Sequence, residues 1–406
     1  MSALRVAIVA GESSGDALGA ALIAALRDRT EVEVRGLAGP AMRAAGCEAL
    51  ADAHELAVMG LIEPLKHLPR LWRLRSMLLR ELIAWQPHVF IGVDAPAFNL
   101  NLAARFKQHG IATVQYVSPQ VWAWRQGRVR EIARRCDLVL CLLPFEPAFY
   151  ERHAVRAQFV GHPLADQVPL VIDRAAARAA LAVAAGRGSG GSATGEADRP
   201  LLLALLPGSR VTEVQRLARP FLEAATLLEQ HHPGLQVVVP MANSATHSEF
   251  ARALAAHPGK QRVQLLVGQA RRVLAAADIA LVASGTATLE ALLCRCPMVV
   301  AYRVNAATAF LLRTLRLVRL PQFAMPNLLA GRALVPEFFQ EAAVPANLAA
   351  AVERVLAEPA ERLGLQQEFD RIHRMLRAGG AARAADEVLA LLAARARASG
   401  RTEATA

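Results

Sequence analysis

The sequence predicts an α/β protein with two Rossmann-like, doubly wound parallel-sheet domains in tandem, followed by C-terminal helices. Short apolar runs typical of buried strands alternate with stretches of helical periodicity, which indicates parallel sheets covered by helices. The alternation is interrupted once, by a Gly- and Ser-rich segment at 186–200, and then restarts. Because 54% of the 406 residues are hydrophobic, each half can bury a sizeable core.

The first half is predicted to hold six strands with helical segments between them. These strands are expected at residues 4–11, 32–38, 88–93, 112–117, 137–143 and 157–160, and the first helix at about 15–27. This half, residues 1–172, is predicted to be the N-terminal domain. In sheets of this kind, ligands bind in the cleft that the carboxyl ends of the strands face.

The second half repeats the alternation. Strands are expected at residues 201–206, 236–239, 263–267, 279–282 and 298–301, with helices at 213–230, 245–256, 271–276 and 286–294. The tail from 345 to 398 has helical periodicity only. We therefore predict a second domain at 173–350, with a flexible insertion at 186–200, and C-terminal helices at 351–406 that pack on the first domain or on a partner subunit.

The net charge, the cysteines and the hydropathy indicate what kind of partner the protein binds and in which compartment it is found. The formal net charge of +11 indicates a partner that is either nucleic acid or an anionic membrane surface. The five cysteines have no metal-binding spacing and predict free, buried thiols in a reducing compartment. The start does not resemble a signal peptide, and no apolar run reaches 18 residues, so we expect a protein that is cytoplasmic or attached to the cytoplasmic face of a membrane.

Two motifs of the first half follow predicted strands. In GESSGD, the residues Gly11, Ser13, Ser14, Gly15 and Asp16 form a turn whose amides can bind an anion; a generic capped turn is the alternative. In GVDAPAFN, the strand-end carboxylate of Asp94 is placed to take a proton from an attacking hydroxyl, or alternatively to cap the next helix. The spacing alone does not decide between these two interpretations.

Two motifs of the second half favour a nucleotide. In LPGSR, the residues Gly208, Ser209 and Arg210 offer donors for a diphosphate, although an Arg–Glu surface pair with Glu213 is the alternative. In SGTATLE, the small residues Ser284, Gly285 and Thr286 admit a nucleotide close to a helix N-terminus. Glu290, one turn on, is predicted to accept hydrogen bonds from ribose hydroxyls, unless it is simply solvated.

The longest amphipathic stretch, 61–85, mixes apolar and basic residues in the manner of a helix lying in lipid headgroups. The residues predicted to face the membrane are Leu61, Leu65, Leu68, Leu71, Trp72, Arg70 and Arg73. A second such stretch lies at 310–320, and a core helix with a basic outer face is the alternative for both.

The aromatic segment YVSPQVWAW, with Trp122 and Trp124, either lines the acceptor site or forms a structural aromatic cluster.

In their order along the chain, these segments resemble the lipid-A-disaccharide synthase family. The motifs that carry the resemblance are GESSGD, VMGLIEPLKHLPRL, GVDAP, YVSPQVWAWR, FVGHPLAD, LPGSR, ASGTATLEALLCRCPMVVAYRV, PNLLAGR and PEFFQ. They extend over nearly the whole chain. The resemblance implies the GT-B architecture of glycosyltransferases, with two Rossmann-like domains and a cleft between them.

The resemblance also implies a reaction. The family joins UDP-2,3-diacylglucosamine to 2,3-diacylglucosamine 1-phosphate (lipid X) with inversion and without a metal or other cofactor, and forms a β-1,6-linked disaccharide 1-phosphate and UDP. Asp94 matches the family's general base, Arg210 and Asn327 match positions implicated in activity, and Glu290 matches a nucleotide-contacting acid. The family is peripheral to the inner membrane, on its cytoplasmic face, and can form homodimers through the C-terminal helices.

The sequence differs from the family pattern at two places, and two other functions are alternatives. Ala97 stands where the family usually has a second Asp, so that carboxylate is not essential here, and the insertion at 186–200 is atypical. One rival is another UDP-sugar enzyme of the same architecture, such as the transferase that makes lipid II or a UDP-N-acetylglucosamine 2-epimerase. The other is a basic nucleic-acid-binding protein, which we disfavour because RNA-binding and zinc motifs are missing from the sequence.

Overall fold

A computed structural model describes residues 3–56, 68–123, 126–181, 199–258, 263–305 and 322–403. The chain divides into two compact units, which we describe separately. Unit 1 comprises residues 1–166 and 375–406, and unit 2 comprises residues 167–374.

Unit 1 is built on a seven-stranded parallel sheet with the order β3-β2-β1-β4-β5-β6-β7. The strands are β1 Leu4–Ala10, β2 Val32–Ala38, β3 Glu48–Asp52, β4 Val89–Val93, β5 Ala112–Tyr116, β6 Leu138–Cys141 and β7 Ala157–Phe159. The helices between and after them are α1 Ser13–Arg27, α2 Pro40–Ala44, α3 Leu68–Ala84, α4 Pro96–Gln108, α5 Val129–Arg135, α6 Glu146–Glu151 and α7 Pro163–Gln167.

Unit 2 is built on a six-stranded parallel sheet with the order β10-β9-β8-β11-β12-β13. Its strands are β8 Leu202–Leu206, β9 Gln236–Met241, β10 Val263–Val267, β11 Ile279–Ala283, β12 Met298–Tyr302 and β13 Glu337–Phe339. The helices are α8 Arg174–Ala180, α9 Val211–His231, α10 Ser244–Ala255, α11 Ala270–Ala276, α12 Thr286–Leu293, α13 Met325–Ala330, α14 Pro345–Ala357 and α15 Pro359–Leu376. The last helix, α16 Gly380–Glu403, belongs to unit 1.

Apolar residues on both faces of each sheet form the cores. In unit 1, α1 and α16 cover one face, where Val388 and Leu391 of α16 join the core of strand residues. Phe90 of β4 points to the opposite face because strand side chains alternate, and its ring stacks on Phe106 of α4 at 4.5 Å. In unit 2, α9 and α14 pack on one face in the same manner; Phe221 of α9 is completely buried there.

Each sheet reverses its strand order at one point. In unit 1 the reversal lies between β1 and β4, and in unit 2 between β8 and β11. In doubly wound folds, this topological switch point opens a crevice at the carboxyl ends of the two strands, where ligands bind. The four motifs from the sequence follow these four strands.

The predicted fold class is confirmed, and two short edge strands, β3 and β13, are additional to the predicted ones. Leu61, Leu65, the second amphipathic stretch at 310–320 and most of the insertion at 186–200 lie outside the described residues. None of the described helices combines the length and apolar character needed to cross a membrane.

Candidate active site

The turn after β1 lies at the switch point of unit 1, against the segment that follows β4. Gly11 is buried, and a methyl group on its Cα would come within 2.8 Å of the Ala95 Cβ atom. Only glycine therefore permits this close approach of the two segments. Ser13 and Ser14 are exposed at the start of α1, which has no side-chain cap. Their hydroxyls and the first amides of the helix are available to an anionic group.

The buried residue Asp16 has a structural function in this motif. Its carboxylate accepts hydrogen bonds from the backbone amides of Gly39, Ala41 and Met42 at 2.9, 2.8 and 3.1 Å. These amides surround the start of α2, so the carboxylate caps that helix. Gly15 beside it is also buried. Of this motif, the two serines thus remain open to a ligand, whereas Asp16 is engaged within unit 1.

Asp94 directly follows β4 and adopts a left-handed backbone conformation. Its φ is 52°, and that of Ala95 is 40°. Such angles are uncommon outside glycine and cluster at functional sites. The cap interpretation of Asp94 is wrong, because Ala95 is the N-cap of α4 and no side chain caps that helix. Within the described part of the chain, no group donates a hydrogen bond to the half-buried Asp94 carboxylate.

Two buried amide side chains, which the sequence analysis missed, hold the backbone of Asp94. Asn99 Nδ2 and Gln115 Nε2 both donate to the Asp94 carbonyl oxygen, at 2.8 and 3.0 Å. Gln115 also donates to the carbonyl of Val117 at 3.3 Å, a second left-handed position with φ of 75°. Gly92 makes room for both, since a Cβ there would lie 2.6 Å from the Asn99 Cβ. The sequence feature that could have identified Gln115 is the presence of one Gln inside the apolar strand ATVQY.

Arg210 follows β8, at the switch point of unit 2. Its side chain is 77% exposed and contacts Glu213 at 3.3 Å, so the predicted alternative of a surface pair is present. The Glu213 carboxylate also accepts from the backbone amides of Ser209 and Arg210, at 3.0 and 3.3 Å. Gly208 has φ of 130°, and a Cβ atom at this position would lie 2.4 Å from the Glu213 Cβ. Glycine therefore allows the backbone to run close to Glu213. The charge available to a diphosphate at this turn is therefore the Arg210 guanidinium.

The turn after β11 lies at the same switch point. Gly285 and Thr286 are exposed at the start of α12, which has no side-chain cap, and Ser284 is half-buried. Glu290 lies one turn into α12, and its Oε1 accepts a hydrogen bond from Arg271 Nε at 3.1 Å. Its second oxygen has no partner in the described part of the chain. Glu290 is thus oriented by Arg271 and retains an acceptor for a hydroxyl group.

Asn327 is buried and uses its hydrogen-bonding capacity within unit 2. Its amide oxygen accepts from two backbone amides, each at 2.7 Å. Its nitrogen donates to the Val335 carbonyl at 2.9 Å and to the Glu337 carboxylate. Glu337 accepts from the Phe323 amide at 2.9 Å, and the Phe323 carbonyl accepts from the Ser284 hydroxyl at 3.3 Å. Asn327 is thus connected to the Ser284 turn through the protein.

Trp122 belongs to a buried cluster, which agrees with the structural interpretation of the aromatic segment. Its Nε1 donates to the Glu146 carboxylate at 3.0 Å, and its ring packs edge-to-face on Phe145. Glu146 also accepts from the Leu143 amide at 3.0 Å. Burial raises the pKa of Glu146 to about 7. Trp124 lies outside the described residues.

Helix α3, which begins at Leu68, buries one face and exposes a basic one. Three leucines at four-residue intervals are buried: Leu74, Leu78 and Leu82. Trp72 is 63% exposed, Arg73 beside it is exposed, and Leu71 is half-buried. Arg70 is also exposed and pairs with Glu55 at 3.1 Å. The helix therefore packs on the core and also presents an indole next to basic side chains.

The His, Cys, Asp and Glu side chains of the described residues bear on metal binding and on thiol chemistry. Among them, no group of three or more His, Cys, Asp or Glu side chains is arranged to hold a metal ion. All five cysteines are free and buried, as predicted. Burial raises the pKa of each thiol, as is typical of unreactive structural cysteines.

Solved structures with a similar fold include two glycosyltransferases and a UDP-GlcNAc 2-epimerase. A glycotransferase of kitacinnamycin has a TM-score of 0.57 and 18% identity, covering 96% of this chain and 100% of that one. A calicheamicin glycosyltransferase has a TM-score of 0.56 and 20% identity, covering 98% and 100%. A UDP-GlcNAc 2-epimerase from Neisseria meningitidis has a TM-score of 0.57 and 12% identity, covering 96% and 99%. These similarities show the GT-B fold.

Sequence comparisons identify the family. The family model described as lipid-A-disaccharide synthetase matches residues 6–388. The lipid-A-disaccharide synthase of Chromohalobacter salexigens is 47% identical over 390 residues, covering 96% of this chain and 97% of that one. That of Pseudomonas aeruginosa is 48% identical over 392 residues, covering 96% and 98%. The chain therefore belongs to the lipid-A-disaccharide synthase family and is a glycosyltransferase of lipid A biosynthesis.

Proposed function

We propose that this enzyme transfers 2,3-diacylglucosamine from UDP-2,3-diacylglucosamine to lipid X and inverts the anomeric carbon. The observation that carries this proposal is the Asp94 carboxylate. It lies at the switch point of unit 1, has no donor within the described part of the chain, and rests on a left-handed backbone. A carboxylate without a hydrogen-bond donor at a ligand-binding crevice is suited to act as a general base that receives a proton from a bound hydroxyl.

In the proposed reaction, the 6-hydroxyl oxygen of lipid X attacks C1 of the donor sugar. The new C1–O6 bond forms as the bond from C1 to the diphosphate oxygen breaks, and the electron pair leaves with UDP. The hydroxyl proton passes to the Asp94 carboxylate. The products are the β-1,6-linked disaccharide 1-phosphate, UDP and protonated Asp94, which then returns its proton to water.

We assign UDP to the switch point of unit 2. The exposed Arg210 guanidinium supplies positive charge and paired donors to the diphosphate, assisted by the uncapped start of α12 at Thr286. The second oxygen of Glu290, oriented by Arg271, accepts from the ribose hydroxyls. Asn327 supports the Ser284 turn from within. Since fixed positive charge can stabilise a leaving diphosphate, we expect full activity in the presence of EDTA.

We further propose that the enzyme works at an anionic membrane surface, where both acylated substrates reside, on the cytoplasmic face of the inner membrane. The exposed Trp72 and the basic residues Arg70 and Arg73 of α3 support this assignment. An indole inserts at the headgroup level, and each basic residue near such a surface contributes about 1 kcal/mol. A homodimer through the C-terminal helices stays a prediction.

A thin-layer assay with both lipid substrates in detergent tests the proposed reaction. We expect one UDP for each disaccharide 1-phosphate, and no UDP release when lipid X is omitted. UDP release without a disaccharide, or conversion of the UDP-sugar into an isomer, would contradict the proposal. The second outcome would instead indicate a 2-epimerase.

A further inference from the structure

We propose that Asn99 and Gln115 are positioning residues that hold Asp94 in its reactive conformation. This inference rests on the proposed role of Asp94 as the base. Both amides donate to one atom, the Asp94 carbonyl oxygen, from two different elements: Asn99 lies in α4, directly after the loop, and Gln115 lies in the neighbouring strand β5. A carbonyl that accepts two buried side-chain amides has little freedom to rotate.

The two side chains also join the neighbouring strand ends. Asn99 Nδ2 lies 3.3 Å from the carbonyl oxygens of Val9 and Val93, which belong to β1 and β4. Gln115 Nε2 lies 3.4 and 3.3 Å from the carbonyl oxygens of Tyr116 and Val117, at the end of β5. Three adjacent strands are thus connected at the switch point by two amide groups.

The backbone at this point requires such support. Asp94, Ala95 and Val117 have φ of 52°, 40° and 75°, and for a β-branched residue such as Val117 this conformation is strongly disfavoured. Residues persist in these regions only where the surroundings over-determine them. Without the donors of Asn99 and Gln115, the segment would relax toward ordinary angles, and the Asp94 side chain would leave its present position.

Because the two amide side chains are buried, they can position Asp94 but cannot bind the substrate themselves. Asn99 is 0% exposed and Gln115 is 1% exposed, and the amide nitrogens of both point to backbone carbonyls of unit 1. A ligand in the crevice therefore meets the Asp94 carboxylate and not these amides. Their removal should change the rate of the chemical step, since small misplacements of a catalytic group lower turnover by up to about 100-fold.

The test compares Asn99→Ala and Gln115→Met with the parent in the detergent assay. We expect kcat to fall roughly 10- to 100-fold in each, with unchanged KM values and an unchanged calorimetric affinity for UDP. In an Asp94→Asn background, neither change should lower kcat further, because both act through Asp94.

Thr113→Val is the matched control: Thr113 is buried on the same strand as Gln115, and its hydroxyl donates to Arg135 and Asp137, away from the Asp94 loop. Its kcat should equal that of the parent.

A folded Asn99→Ala or Gln115→Met protein with parental kcat would overturn the inference, as would losses that multiply with that of Asp94→Asn. If Asn99→Ala does not fold, Gln115→Met decides alone. The proposed function fails separately: in that case Asp94→Asn itself would keep parental turnover. A slow Asp94→Asn protein together with normal Asn99→Ala and Gln115→Met proteins would contradict the positioning role only.

Discussion

At the scale of single residues, the polar groups of the two switch points differ in how many of their hydrogen bonds the protein itself satisfies. Asp16, Glu213 and Asn327 are engaged by backbone amides, so they shape the turns. Asp94 and one oxygen of Glu290 have no such partners in the described part of the chain, and Arg210 is largely exposed. The second group is where we expect contact with substrate.

The UDP assignment predicts a loss of affinity on removal of Arg210 or Glu290. Arg210→Ala and Glu290→Ala should each raise the calorimetric Kd for UDP roughly 10-fold or more, since a hydrogen bond to a charged group contributes about 1.5–3 kcal/mol. Arg219→Ala serves as the control, because Arg219 is also exposed on α9 and pairs with Glu223 four residues on. If both substituted proteins bind UDP as the parent does, the nucleotide site lies elsewhere.

The buried Glu146 predicts a pH dependence of stability. Its pKa in the folded protein is raised from 4.5 to about 7, so the folded state holds this proton more tightly than the unfolded state. The contribution is fully present below about pH 4.5, and the free energy of unfolding falls as the pH rises toward 7. We expect this fall to be smaller in Glu146→Gln, by on the order of 2 kcal/mol.

Urea unfolding of parent and Glu146→Gln at pH 5 and pH 7.5 (about 0.5 unit above the raised pKa) measures this difference. Glu151→Gln is the control, because Glu151 lies exposed at the end of the same helix. An equal loss of stability in parent and Glu146→Gln between the two pH values would show that Glu146 does not titrate in this range.

At the scale of elements, α3 has a buried leucine face and an exposed face with an indole and basic side chains. The leucine face agrees with the core-helix interpretation, whereas the exposed Trp72 and Arg73 suit a headgroup layer. A Trp72→Ser, Arg73→Gln protein should therefore sediment several-fold less with anionic vesicles and keep its UDP affinity. Binding of the parent should also weaken as salt screens the charges.

Leu363→Ser provides the matched control for this vesicle experiment. Leu363 is 57% exposed on α15, in unit 2, but is not part of the basic face of α3. Its sedimentation should equal that of the parent. If the Trp72→Ser, Arg73→Gln protein sediments as the parent does, α3 is not the membrane-binding element.

The elements that the sequence predicted have a strong local signal. Strands β2 and β10 occupy the predicted residues, because β2 (VEVRGLA) begins with alternating apolar and charged residues and β10 (VQLLV) is mostly apolar. The strands that were missed, β3 with EALAD and β13 with EFF, are short, and their residues are half-buried or exposed. Their pairing depends on a neighbouring strand and not on local hydrophobicity, so the sequence pattern does not reveal them.

At the scale of the whole molecule, the six strands of unit 2 follow the same order as the first six strands of unit 1, to which β7 is added at one edge. The predicted turns lie at the switch points of the two sheets. Gly-containing turns after apolar strands indicate this place from the sequence, because the connection pattern dictates which strand ends are neighbours. The positioning amides Asn99 and Gln115 were missed, since they meet at Asp94 only after β4 and β5 pair. The partner of Asp16 was missed for the same reason.

The central claim, that Asp94 is the base of this transfer, is tested most directly by the turnover of Asp94→Asn with UDP-2,3-diacylglucosamine and lipid X. The amide keeps the size of the side chain but does not accept the proton. We predict a kcat lower by roughly two to four orders of magnitude, with a UDP affinity equal to that of the parent. A folded Asp94→Asn protein with near-parental kcat would contradict this account.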